Sequence, residues 1–564
     1  MNRVIIGIVF AILAAACSGA EPTVVDVDPT PSASTVPPEG SATTAVRQSE
    51  GGVPAAMTCW SSSPPDGGPW VTFEEVTGSV GLIDPLTGMH AHAAAWGDVD
   101  GDLDPDLLVG TFATARGGVY QVRGADGPSP DRLLLAEGGG FEVSSEFPDG
   151  FGRTSGAVFA DLDNDGDDDL VLSRNVRDRD AGAAVTEVLE NTPGGFVTVP
   201  TSIDPNLGGR SIGVLDVDSD GFADLLIVED RYRGGSSRFY RNLGDLEFED
   251  ATERMFVAGV DGLGIATGDL NNDGLTDVFV AGSNRLFVGD GDRLNEVGAS
   301  ELVWETFGNE DDVAGAAIAD VNRDGWLDLV VGHHYNSTLS QGREVPVRLY
   351  LNRTEALGAA PVFEDVTTAA GLVGIPTKAP HVEIADIDND GWPDILTSAS
   401  ASSGTSPAIF RHTGLVDGLP VFAPPEGLGS PQYWVSAPTA DIDRDGRLDV
   451  LLVEWEPALA SLMLANATAS GHWLEVSIDV SLGGGIGTRV SVYEPGRAGD
   501  QSALVGSREI VASVGYTAGI ERVAHFGLGD LDEVDVVVTP PSPHAAITLT
   551  VSADQHLRFP SGCK

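Results

Sequence analysis

The sequence predicts an all-β fold: a seven-bladed β-propeller followed by a small antiparallel β-domain. Three observations lead there. One acidic nonapeptide recurs seven times, its copies 51 to 66 residues apart. Each copy lies between a stretch of small and apolar residues and an apolar run rich in Val, Ile and Leu, so it joins two neighbouring strands. Between copies stands a second strand pair, with a Gly-containing turn and a strand led by Phe. Four strands per unit, at a period of about 50 residues, are what a propeller blade requires.

The copies begin at Asp98, Asp161, Asp216, Asp269, Asp320, Asp386 and Asp441 and share the form Asp-x-Asp/Asn-x-Asp-Gly-x-x-Asp. Positions 1, 3, 5 and 9 are Asp98, Asp100, Asp102 and Asp106 in the first loop, and Asp161, Asp163, Asp165 and Asp169 in the second. They are Asp216, Asp218, Asp220 and Asp224 in the third, Asp269, Asn271, Asp273 and Asp277 in the fourth, and Asp320, Asn322, Asp324 and Asp328 in the fifth. The sixth has Asp386, Asp388, Asp390 and Asp394, and the seventh Asp441, Asp443, Asp445 and Asp449.

Oxygens at positions 1, 3 and 5 of a tight turn converge on one point, and Asp at position 9 closes the cage. Gly at position 6 lets the backbone turn sharply. Position 7 can add its carbonyl: Asp104, Asp167, Phe222, Leu275, Trp326, Trp392 and Arg447. Calcium takes about six to eight hard oxygens at such a site, whereas magnesium keeps its waters, so up to seven Ca²⁺ are expected. The nonapeptides hold 29 acidic residues, a density that repulsion disfavours without cations. An EF-hand opens in the same way but needs Glu at position 12, where this chain has Val109, Leu172, Ile227, Val280, Val331, Thr397 and Leu452. The loops are therefore calcium-binding β-hairpins. The first departs from the pattern, with Gly101 at position 4 and Leu103 at position 6. Asn271 and Asn322 lower the ligand charge of the fourth and fifth.

Ring closure is also legible. The last unit lacks its Phe-led strand, and TFEEVTGSVGL from Thr72 matches VFEDVTTAAGL at 362–372. Residues 72–77 are expected to close the seventh blade as a clasp.

These loops and Phe-x-x-Val-Thr strands resemble FG-GAP repeats, as in integrin α-chain heads and many bacterial surface proteins, over roughly residues 60–468. The resemblance implies the propeller and its calcium. Residues 469–564 carry no acidic loop and resemble the ASPIC/UnbV module that follows FG-GAP repeats in cartilage acidic proteins. The matching residues are Gly471-His472-Trp473-Leu474, Gly485 to Val490, Arg508-Glu509, Gly515-Tyr516 and His525 to Gly529. The family's Trp-Pro-Ser-Gly turn is replaced here by Thr539-Pro540-Pro541-Ser542-Pro543.

The N-terminus reads as an export signal: Arg3, an apolar run from Val4 to Ala16, then Cys17. Residues 1–17 resemble a bacterial lipoprotein signal with Cys17 as the lipidated thiol; an ordinary signal peptide is the alternative. Residues 18–56, rich in Pro, Thr, Ser, Ala and Gly, read as a disordered tether. The folded region divides into a propeller over 57–468 and the β-domain over 469–564. Export permits a disulfide between Cys59 and Cys563, two unpaired thiols being the alternative. The formal net charge of −54 disfavours nucleic acid and anionic membranes as partners.

The expected protein is extracellular, held at the bacterial membrane by an N-terminal lipid or else secreted, and monomeric. It is expected to bind a protein or glycan, with calcium stabilising the propeller. No HExxH, P-loop or dinucleotide motif occurs, and no enzyme is expected. The alternatives are a hydrolase or lyase on the propeller scaffold, or a lectin. His90, His92, His333, His334 and His381 are the catalytic candidates should they line one face. Trp326 and Trp392 either stack on sugars or pack against the next blade.

Overall fold

A computed structural model describes residues 57–61 and 71–559, apart from 113–127, 149, 176–183, 231–236, 256, 299–301, 303–310, 336–346, 376–378, 400–405, 456–459, 469–470, 479–484 and 542–544. Cys17, the tether and Cys563 lie outside the described residues.

Among the described residues, seven sheets of repeated antiparallel form follow one another along the chain. The first holds Ala91–Gly97, Asp106–Thr111, Arg132–Glu137 and Gly140–Val143. The second holds Thr154–Ala160, Asp169–Arg174, Glu187–Glu190 and Val197–Val199, and the third Gly209–Leu215, Asp224–Glu229, Arg238–Asn242 and Phe248–Asp250. The fourth, fifth and sixth repeat the order from Gly262–Gly268, Asp311–Ala319 and Val382–Ala385. Within the sixth, a two-stranded hairpin, His412–Val416 with Leu419–Phe422, is inserted before the outer strand Glu426–Gly427. The seventh is built from Thr439–Ala440, Asp449–Leu452, Leu462–Asn466 and, from far upstream, Phe73–Glu75. This is a β-propeller.

The long apolar runs follow from burial on both faces. Leu107 and Val109 pack towards the seventh sheet, whereas Leu108 between them packs towards the second. Leu225 and Ile227 face the second sheet, Leu226 and Val228 the fourth. Successive side chains of a strand point to opposite faces, so a strand between two neighbours needs apolar residues at every position. Apolar clusters join each sheet to the next and the seventh to the first, through Leu451 and Met463 against Trp96 and Leu107. The ring is closed. The innermost strands are rich in Ala and Gly because they crowd the axis: a Cβ on Gly156 would overlap the Arg210 carbonyl, and one on Gly264 the Ala314 carbonyl.

The expected clasp is present. Phe73 pairs with Asn466, in the register that pairs Phe363 with Asn352 and Phe248 with Asn242. Thr72 N–H donates to Thr468 Oγ1 at 2.7 Å, and Met463 N–H to Thr77 Oγ1 at 3.0 Å.

The C-terminal module is two four-stranded sheets packed face to face. Leu474, Val476 and Phe526 of one meet Val490, Val492 and Val536 of the other. Its first sheet is completed by Met57–Ser61, which pairs with Gln555–Phe559. The boundary read at residue 57 is thereby corrected: the first described strand belongs to the C-terminal module. It covers the edge of Gln555–Phe559, and five residues without a repeat motif carry no sign of that in sequence. Cys59, on this strand, is disulfide-bonded.

A short hairpin of the module, Ser513–Val514 with Ala518–Gly519, leaves both of its sheets and joins the first propeller sheet, with Ala518 parallel to Ala94. Among the described residues no helix is long and apolar enough to cross a membrane.

Candidate metal centres on one face of the ring

All seven nonapeptides connect the innermost strand of a sheet to the second strand, so they share one face of the ring. Their backbone is common. Position 4 is left-handed, with φ of 63° at Asn164, 55° at Asn272 and 58° at Asn389. Position 6 is left-handed as well, at Gly166, Gly221, Gly274, Gly325, Gly391 and Gly446. The position-1 carboxylate accepts the position-6 N–H, as in Asp161–Gly166 at 3.0 Å and Asp441–Gly446 at 2.7 Å. The position-5 carboxylate accepts the position-7 N–H, at 2.9 Å from Asp273 to Leu275 and from Asp324 to Trp326. That bond orients the peptide at position 7, at Asp104, Asp167, Phe222 and Arg447 as at Leu275, Trp326 and Trp392.

Position 9 is the most enclosed. Asp106 accepts from Val99 N–H at 3.0 Å and from Ala136 N–H, on the third strand, at 2.7 Å. The same pair of bonds recurs at Asp169, Asp224, Asp277, Asp328, Asp394 and Asp449. Each of these carboxylates thus ties its loop to two strands.

In five loops three carboxylates bring an oxygen each within 4.8 Å of one another: Asp98, Asp100 and Asp106; Asp161, Asp163 and Asp165; Asp216, Asp218 and Asp224; Asp386, Asp388 and Asp394; Asp441, Asp443 and Asp449. The fourth and fifth loops keep the hydrogen-bond pattern with Asn271 and Asn322 at position 3. Asp161 Oδ1, Asp218 Oδ1 and Asp386 Oδ1 are buried and accept no hydrogen bond among the described residues. A buried carboxylate oxygen without a donor is costly unless a cation meets it. The donor set is all hard oxygen, which fits a hard divalent ion.

Burial makes these carboxyls weaker acids accordingly. The position-9 carboxyls of Asp106, Asp169, Asp224, Asp277 and Asp449 are pushed up to about 8 by desolvation, against the lowering effect of their N–H donors. Asp98, Asp161 and Asp216 rise to about 6 for the same reason. Burial also holds Asp386 and Asp441 well above the ordinary range, with neighbouring acids adding to it.

The first loop reaches the common backbone differently. Gly101 takes the left-handed position 4 (φ 79°), and Leu103 is left-handed at position 6 (φ 71°). Arginines supply fixed positive charge elsewhere: Arg241 pairs with Asp218 and Asp220, Arg444 with Asp104, and Arg522 with Asp168.

Two sets of side chains that sequence reasoning left without a role link the loops. Asn191, Asn242, Asn352 and Asn466 stand at the end of the third strand of their sheets. Each amide donates to the position-2 carbonyl of the preceding loop: Val99, Leu162, Leu270 and Ile387, at 2.7 to 2.8 Å. The recurring strand-end Asn was the visible signal; its partner, about 80 to 90 residues upstream, was not. Position 4 reaches forward instead: Asn164 donates to Gly221 O, Asn272 to Gly325 O and Asn389 to Gly446 O, at 2.9 to 3.1 Å.

The described side chains among the candidate histidines, His90, His92, His333 and His381, are buried. His90 and His92 are buried at the ring's inner edge, against Trp455 at 4.1 Å and Phe112 at 4.3 Å between ring centres. His381 is buried, with Ser436 Oγ 3.2 Å from its Nδ1. His333 is buried in the fifth sheet; the His334 side chain lies outside the described residues. Trp326 and Trp392 are half-buried. Trp392 stacks on His412 at 4.9 Å, with the Arg323 guanidinium of the preceding loop 3.5 Å from its ring centre, so it packs between blades.

The profile of FG-GAP-like repeats matches residues 216–280, 269–331 and 386–452, segments that open on position 1 of a loop and close on position 12. That of ASPIC and UnbV matches residues 483–562. The chain carries FG-GAP-like repeats and an ASPIC/UnbV domain. Among curated proteins it is 26% identical to cartilage acidic protein 1 of Homo sapiens over 428 residues, covering 69% of this chain. It is 25% identical to integrin alpha-V of Gallus gallus over 233 residues, covering 36% of this chain and 21% of that protein. The chain spans 60% of the length of the human relative. Solved structures that align with it include the V. cholerae biofilm matrix protein Bap1 and the Dos1 propeller. Bap1 has TM-score 0.26 and 12% identity, covering 90% of this chain and 85% of that one. The Dos1 propeller has TM-score 0.34 and 10% identity, covering 69% and 96%.

Leu103 occupies a conformation that disfavours a Cβ by about 1–2 kcal/mol. Leu103→Gly is therefore expected to stabilise the protein by about 1 kcal/mol, read as a higher urea midpoint.

The raised carboxyls also set a pH dependence for the metal-free protein. They keep protons in the folded state that the unfolded chain releases near pH 4, so stability falls as pH rises from about 4 to about 8. Each such group contributes at most about 1.4 kcal/mol per pH unit. Urea unfolding in chelator across that range is expected to show a steadily falling midpoint.

Proposed function

We propose that the loop face binds calcium and that this chain is an extracellular protein-binding or adhesion protein whose seven-bladed ring the metal stabilises. The observation that carries it is the repeated cluster of carboxylates, each with at least one buried member, some with an oxygen that no donor meets among the described residues. Calcium suits these sites better than magnesium because the oxygens are many and come from flexible side chains and peptides. Binding energy at sites that exist only in the folded ring becomes folding energy.

Export through residues 1–17, a lipid on Cys17 and a Cys59–Cys563 bridge complete the proposal. They place the ring outside the cell on a tether, with both ends of its folded region joined. The pairing of Met57–Ser61 with Gln555–Phe559 supports that bridge by bringing the two ends together. The strongly acidic surface favours a protein or glycan partner over nucleic acid.

Calcium at about 100 times its dissociation constant adds about 2.7 kcal/mol of stability per site. Excess chelator is therefore expected to lower the melting temperature by many degrees, with calcium restoring it more fully than magnesium. An unchanged melt in chelator refutes the calcium role. Capture of a partner by the folded region, lost in chelator, tests the binding role.

A second reading, a hydrolase, rests on one observation. Ser477 Oγ lies 2.8 Å from His556 Nε2, and His556 Nδ1 lies 3.1 Å from Glu475 Oε2. Adjacent parallel strands place the three side chains, Glu475 and Ser477 two residues apart on one strand and His556 opposite Glu475 on the other. With Nδ1–H donating to Glu475, Nε2 takes the Ser477 proton as Oγ attacks an ester carbonyl; the proton then passes to the departing alcohol, and water releases the acid. A small cavity beside them is also lined by Arg522 and Arg558. A fluorophosphonate probe is expected to add its mass to Ser477 and not to Ser477→Ala. No addition to the calcium-loaded protein removes this reading.

A further inference from the structure

The C-terminal module sits on the loop face and reads its backbone. At the fourth loop, Arg489 donates to the Asp269 carbonyl at 3.0 Å, while Glu509 accepts the Asp269 N–H at 3.0 Å. At the fifth, Gln501 donates to the Arg323 carbonyl at 3.0 Å; at the sixth, Gly529 N–H donates to the Asn389 carbonyl at 2.9 Å. At the seventh, His525 Nε2 lies 3.1 Å from the Gly446 carbonyl. Arg323, Asn389 and Gly446 are the left-handed positions 4 and 6 that the carboxylates at positions 1, 3 and 5 wrap. The fit is close: a Cβ on Gly471 would overlap the Asn389 carbonyl, and one on Gly527 the Asp386 carboxylate.

The hairpin around Tyr516 runs from that seat into the central channel and touches the inner edge of every sheet. Ala518 pairs with Ala94 of the first, and Gly519 is packed so closely that a Cβ would lie 2.7 Å from the Ala157 carbonyl of the second. Ser513 Oγ donates to Ile212 O of the third at 2.7 Å. A Cβ on Gly264 of the fourth would lie 2.7 Å from Gly515 O. Gly515 N–H donates to Ala316 O of the fifth at 2.9 Å, and Tyr516 N–H to His381 Nδ1, beside the sixth, at 3.3 Å. Ser436 Oγ, before the seventh, donates to Tyr516 O at 3.1 Å. Tyr516 is 3% exposed and packs on Leu263, Ala314 and Val435. The channel is stoppered.

We propose that metal in the loops holds the C-terminal module in its seat, and that metal release lifts the module and draws the Tyr516 hairpin out of the channel. The proposal rests on calcium binding at the loops. Without the cation, the carboxyls of Asp386, Asp388 and Asp394, an oxygen of each within 4.8 Å of the others, must take up protons or move apart, and the carbonyls at positions 4 and 6 lose the geometry that the module matches. The module stays attached after release: Met57–Ser61 leads on towards the clasp at Phe73, and His472–Ile478 follows directly from the seventh sheet. Withdrawal is therefore reversible and leaves the ring closed.

The test is amide hydrogen exchange of the full mature chain in calcium and in chelator, below the melting temperature, beside calorimetric titration with calcium alone. The expected result is that chelation speeds exchange of residues 512–520 at least about tenfold, while Leu225 to Ile227 in the third sheet stay protected. Gly471→Ala is expected to expose the same hairpin with calcium still bound. If calcium does not bind, the calcium role itself fails, and this proposal with it. If calcium binds and the loop amides respond but the hairpin keeps its protection, the calcium role stands and the proposal is overturned. Loss of protection in hairpin and third sheet together also overturns it, because the module then has no separate release.

Discussion

The buried carboxylate at position 9 of each loop is the constraint on which the rest depends. It is the last residue of the acidic turn and the first of the second strand. One oxygen receives the N–H of position 2 and the other an N–H from the third strand. Each bond is made out of water, where a hydrogen bond is stronger than an exposed one. The turn, the inner strand and the third strand therefore hold one arrangement, repeated around the ring. The same burial makes the charge expensive, so the residue that fixes the blade also creates the demand for a cation.

That demand is met at the level of the face, not only of the single loop. The Asn amides at the strand ends reach back to the preceding loop, and the position-4 side chains reach forward to the next. A propeller blade buries its apolar sides only against neighbours. These polar links put the loops in register while the apolar clusters between sheets supply the burial. Arg241, Arg444 and Arg522 place permanent charge beside several loops and soften the repulsion. The C-terminal module then uses the ordered face as a floor and the axial channel as a socket.

The fold was legible because its signals are local and repeated. The nonapeptides set the loops, the continuous apolar runs marked strands buried on both faces, and the Phe-led segment at Thr72 revealed the clasp, whose Phe73–Asn466 register repeats that of the intact blades. The histidines were harder to read. Their positions in sequence said nothing of depth, and His90, His92, His333 and His381 prove to be buried. Trp392 looked available as an aromatic at a turn; Arg323 and His412 from neighbouring elements sandwich it.

By itself the sequence determined the acidic loops, the blade repeat and the closing strand, because each is written in a few consecutive residues whose chemistry permits one local geometry. Only the tertiary structure decided that the module caps the loop face, that Tyr516 lies in the channel, and that Met57–Ser61 belongs to the far end of the chain. Those contacts join segments hundreds of residues apart, such as Ala94 with Ala518, through backbone groups and glycine gaps that any sequence of small residues could offer. Their partners are chosen by shape once the ring exists, and no periodicity in the chain encodes that choice.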